Sequence, residues 1–141
     1  MEISLRKART IVRKTLEKGR EMELKPLAVV VLDAGGHLKA FEREDGASPG
    51  RFGVAQGKAY GSVMLGMTCT ALKQRADVDP SFIAAVNGVF GGQLVPVPGG
   101  VLVKDKKGAI IGSVGVSGDV SENDLAAALA GIEAAGLQGE G

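Results

Sequence analysis

An apolar run punctuated by glycine, Ala109-Ile110-Ile111-Gly112-Ser113-Val114-Gly115-Val116-Ser117-Gly118, constrains this chain more than any other stretch. It lies between a turn, Asp105-Lys106-Lys107-Gly108, and a segment that reads as a helix start, so it is expected to be a central strand. Glycine inside a strand costs stability, and its usual reason is close approach of another backbone, a packed helix or a ligand. A second series, Gly53, Gly57 and Gly61, recurs every four residues in an expected helix from Arg51 to Met67. Three such glycines cost about 3 kcal/mol relative to alanine. Something must therefore approach that stripe closely, and a helix laid tightly on the sheet or against a second subunit is the reading preferred to a ligand cleft.

The other elements follow from periodicity. Apolar residues at Leu5, Ala8, Ile11, Val12 and Leu16 have the spacing of an amphipathic helix from Ile3 to about Met22. After Lys25-Pro26, Leu27 to Leu32 is a continuous β-branched run suited to a strand buried on both faces. Asp33-Ala34-Gly35-Gly36 signals a hairpin, returning through His37 to Arg43. Residues 68–92 are the least legible, with two short helices at 68–75 and 81–86, the second capped by Asp79 with Pro80 at its first position. Gln93-Leu94-Val95-Pro96-Val97 reads as an edge strand, Val101 to Lys104 as the next, and Ser121-Glu122-Asn123-Asp124 as the capped start of a last helix to about Leu137. The expected order is α-β-β-α(α)-β-β-β-α: one α+β domain over 1–141, a five-stranded antiparallel sheet flanked by helices.

Composition excludes several function classes. Aromatics are 4% with no Trp, too few for a stacking platform, and the net charge of +1 gives no global field to select nucleic acid or an anionic membrane. One Cys and one His leave no protein-built metal site, and no phosphate-binding glycine motif opens a helix. With no apolar run of about 18 residues and a lone cysteine, a cytoplasmic protein away from membranes is expected. Charge is nonetheless uneven. Residues 1–25 carry eight basic side chains against four acidic ones, and residues 117–141 carry five acidic ones and no basic one. Solvated helical faces explain this, as does a meeting of the two termini within or between subunits.

The hairpin 33–38, Arg43-Glu44-Asp45-Gly46-Ala47, Lys58-Ala59, Pro98-Gly99-Gly100 and the run 111–118 before an acidic helix start, in that order, resemble the GlcG/HbpS-like haem-degrading domain family, which includes the C-terminal domain of PduO-type corrinoid adenosyltransferases. The resemblance covers most of the chain outside 68–92. It implies a profilin-like sheet, homo-oligomers from dimer to octamer, and haem or corrinoid binding in some members. Haem is thus the implied cofactor. An axial ligand would come from His37, or from Cys69, Tyr60, Met64 or Met67.

Three functions compete. In a tetrapyrrole binder, Arg43, Arg51 and Lys58 would meet the ligand's carboxylates, with His37 and the Pro98-Gly99-Gly100 loop completing the site. In a metal-independent small-molecule enzyme, Lys58 would be base or nucleophile, Asp45 or Asp33 its acid partner, and the loop an anion cradle. In an accessory homo-oligomer the glycine stripe and charged termini would serve assembly. The first is the preferred reading.

Overall fold

The computed structural model describes residues 2–141. Its elements are α1 (Leu5–Glu21), β1 (Ala28–Asp33), β2 (Leu38–Arg43), α2 (Arg51–Leu65), α3 (Cys69–Val78), α4 (Pro80–Val89), β3 (Gly100–Lys104), β4 (Ile110–Ser117), α5 (Ser121–Ala134) and β5 (Gln138–Glu140). All strand pairs are antiparallel in the order β2-β1-β4-β3-β5. The α+β class and the five-stranded antiparallel sheet are as expected, and β4, the glycine-punctuated run, is its central strand.

One strand is not where the sequence suggests. Gln93–Val97 does not join the sheet, because its donors are spent elsewhere. The Leu94 N–H goes to Asn87 Oδ1 at 2.8 Å, the Val95 N–H goes to the Gly57 carbonyl at 3.2 Å, and Pro96 has none to give. The fifth strand is instead Gln138–Glu140, which pairs with Leu102–Lys104 after α5. There is therefore one β3–β4 hairpin rather than a three-stranded meander.

Alternation along the strands sorts the core into two layers. Val29, Val31, Val114 and Val116 face α1 and α5, while Ala28, Val30 and Leu32 face Ala55 and Ala59 of α2. The glycines of β4 serve the second layer. A Cβ at Gly115 would run into the carbonyl oxygen of Ala55, so α2 lies with its backbone directly on the sheet. Ser113 Oγ donates to the Ala59 carbonyl at 2.8 Å and fixes the helix in register.

The glycine stripe of α2 has a different neighbour from the one anticipated. Gly57 packs against Gln93 and Val95, Gly61 against Leu72 and Leu94, and nothing lies within 4 Å of a Cβ placed on Gly53. Close packing does explain Gly57, but the partner is the chain's own 93–95 segment. The termini also meet within the subunit. α1 and α5 touch where Gly131 has room for no side chain against Thr15 and Ile11, and Lys7 Nζ donates to the Ala135 carbonyl. Helix α5 starts one residue earlier than a Ser121 cap implies. Val120 is the N-cap, and Asp119 accepts from the Val120 N–H and from Asn123 Nδ2.

Candidate functional site

Most of the charged and glycine residues singled out in the sequence gather at one end of the sheet. The register sets Ala28 opposite both Arg43 and Ser117, which brings the ends of β2 and β4 together. Arg43 Nη1 donates to the Ala47 carbonyl at 2.6 Å, and Arg51 Nη1 to Ser117 Oγ at 3.1 Å. Gly99 lies over Lys58: a Cβ there would stand 2.8 Å from Nζ. Gly100 lets β3 begin hard against the Lys58 carbonyl and Cys69 Sγ, while Pro98 is half-buried beside them. Asp45 is exposed in the preceding loop.

His37 is at the other end. Five residue-to-residue steps along β2, about 17 Å of extended chain, carry the backbone from Leu38 to Arg43. Its ring is 80% exposed with Nδ1 3.3 Å from Asp33. Burial works upward on the Asp33 carboxyl, but the N–H groups of His37 and Gly35 outweigh it and hold the group below its ordinary value.

Lys58 is the most constrained of these residues. Its side chain is 3% exposed, and Nζ lies 2.9 Å from both the Val116 carbonyl and Asp124 Oδ2. The carboxylate partner is therefore Asp124, not Asp45 or Asp33. Burial raises the Asp124 carboxyl above its ordinary value despite the neighbouring ammonium, and its second oxygen accepts the Asp119 N–H at 3.0 Å. Such a pair, closed on all sides, ties α2 to α5 across the end of the sheet.

The remaining axial candidates lie on the α2 side of the sheet. Tyr60 meets the Phe90 ring edge-on at 5.9 Å, the Met64 methyl covers Gly36, and Met67 packs on the Cys69 and Leu72 cluster. Cys69 is buried, accepting from Ser62 Oγ and donating to the Lys58 carbonyl, each at 3.2 Å, and burial pushes its thiol up. Among the described residues no three His, Cys, Asp or Glu side chains gather as metal ligands, and no helix is long and apolar enough to cross a membrane.

An open groove lies on the other face, between α1 and β2. It measures about 650 Å³ and is bounded by Leu5, Leu16, Arg6, Arg9, Arg13 and Glu42. An adjoining hollow of about 420 Å³ shares Leu5, Arg9 and Glu42 and adds Val12, Ala40 and Phe41. Arg6, Arg9 and Arg13 fall at i, i+3 and i+7, one exposed stripe of α1, and among the described residues none has a carboxylate partner. Arg20, further along, pairs with Glu44 at 3.4 Å. Sequence reasoning treated this stripe as a solvated face. The signal was there in the basic excess of residues 1–25, but the second wall that makes it a groove, Lys39 to Glu42, comes from β2.

The haem-degrading, HbpS-like protein family matches residues 3–133. Among solved structures, a PduOC–haem complex is 23% identical with a TM-score of 0.83, the match covering 95% of either chain. HbpS is 25% identical over 94% of this chain and 89% of its own, with a TM-score of 0.82. The protein ORFY of Klebsiella pneumoniae is 21% identical over 96% and 92%, with a TM-score of 0.86. No curated protein matches the chain.

Proposed function

The chain belongs to the HbpS-like family of haem-degrading proteins, and from that premise we propose that it binds haem or a related tetrapyrrole in the groove between α1 and β2. The observation that carries this reading is the row Arg6, Arg9 and Arg13, without carboxylate partners, beside the exposed Leu5 and the half-buried Ala40. A tetrapyrrole of this class is a flat apolar disc with two carboxylates on one edge. Leu5 and Ala40 would lie against the ring, and the guanidinium groups would hold the carboxylates by charge-assisted hydrogen bonds. Haem, when bound, supplies redox-active iron and a visible chromophore. A structural neighbour described as a haem complex supports the same reading.

The groove is favoured over the Arg43, Arg51 and Lys58 end because those cations are already engaged with Ala47, Ser117 and Asp124. An enzyme built on Lys58 gains nothing from the geometry, since Nζ is enclosed by its partners. We further take the protein to be a cytoplasmic homo-oligomer, a reading supported by the family and, for the compartment, by its single buried cysteine. Titrating the purified protein with haemin tests the central proposal. A saturable shift of the Soret band is expected, and no shift at micromolar protein overturns it.

A further inference from the structure

The geometry points to a groove that recognises the carboxylates and the ring face of a porphyrin and not its metal, so that iron-free porphyrin dianions are ligands in their own right. This inference rests on the tetrapyrrole reading and narrows it. Iron in haem proteins is held by His, Cys, Met or Tyr. None of the side chains that bound the groove or its adjoining hollow is one of these. His37 stands one residue before β2 but is tied to Asp33, and Tyr60, Met64 and Cys69 lie with α2 on the opposite face of the sheet.

What the groove does offer is indifferent to the metal. Neighbouring arginines on the stripe have Cβ atoms about 5–6 Å apart, a spacing suited to two carboxylates carried side by side on one ring edge. The exposed Leu5 and the half-buried Ala40 offer apolar surface to the disc whatever its centre. The charges that face the site are Arg6, Arg9, Arg13, Arg20, Lys39 and the single opposing carboxylate Glu42. Of these, only Arg20 is neutralised by an ion pair, with Glu44. The surplus is positive, and a dianion answers it.

Three ligands separate the terms: haemin, iron-free protoporphyrin IX and its dimethyl ester, each titrated into the purified protein by absorbance or by porphyrin fluorescence. Haemin and the free diacid are expected to bind within about tenfold of each other, and the ester much more weakly. An Arg9→Gln/Arg13→Gln variant is expected to weaken haemin and the diacid alike; both side chains are exposed, and an unchanged circular dichroism spectrum confirms the fold. Haemin binding more than about a hundredfold tighter than the diacid overturns the inference and leaves the tetrapyrrole reading standing. So does an ester that binds as well as the diacid. If none of the three binds, the tetrapyrrole reading itself is overturned.

Discussion

Lys58 on α2 and Asp124 on α5 meet at 2.9 Å although their helices lie on opposite faces of the sheet. The ammonium passes the end of β4, where it also takes the Val116 carbonyl, so one buried ion pair fastens three layers. Removing one partner of a buried pair leaves an uncompensated charge and costs about 3–5 kcal/mol. Lys58→Met is expected to lose stability in that range by urea unfolding. The double variant Lys58→Met/Asp124→Asn is expected to lose clearly less than the sum of the two single changes, whereas simple additivity would mean the pair is not coupled.

Two glycines of similar sequence appearance are expected to behave oppositely. A side chain at Gly115 meets the α2 backbone at Ala55, and neither main chain can give way cheaply. Gly115→Ala should lose about 3 kcal/mol or more, or fail to fold. At Gly53 nothing lies within 4 Å and the backbone is helical, so Gly53→Ala should gain about 0.5–1 kcal/mol. Denaturant midpoints of the two variants check both signs.

How much of this was legible depends on the range of the interaction. The central place of β4 showed in its glycines, and the Asp79 cap with Pro80 showed in two adjacent residues, because both signals are local. The fifth strand was misplaced because Gln138-Gly139-Glu140 has no strand composition; only the return of the chain along β3 makes it one. Lys58 was legible as a lysine among small residues, but its partner lies 66 positions away. The groove was half legible: the arginine stripe follows from helical spacing, while its facing wall on β2 comes only from the tertiary fold.

Acid should unfold the protein partly through Asp119. Hydrogen bonds from the Lys25 N–H, from Asn123 and from the Val120 N–H lower its carboxyl from 3.8 to about 2. A depressed carboxyl contributes stability above its unfolded value, and that contribution is lost as pH falls from about 4 to about 2. The stability difference between the wild type and Asp119→Asn should therefore shrink across that window. A difference that stays constant would remove Asp119 as the titrating group.

Glu42 is the one carboxylate among the arginines of the groove. Its charge opposes that of a dianionic ligand, so Glu42→Gln should tighten porphyrin binding by roughly twofold to fivefold at low salt, with the gain fading as salt screens it. Fluorescence titration at two ionic strengths measures this. Weaker binding in the variant would mean that Glu42 contacts the ligand favourably.

Backbone amide shifts followed by NMR during titration with diamagnetic, iron-free protoporphyrin IX test the central claim most directly. The changes are expected to concentrate on α1 between Leu5 and Arg20 and on β2 between Lys39 and Glu42. Changes centred instead on Arg51, Lys58 and Gly99, or scattered over the surface without saturation, would contradict the assignment of the groove.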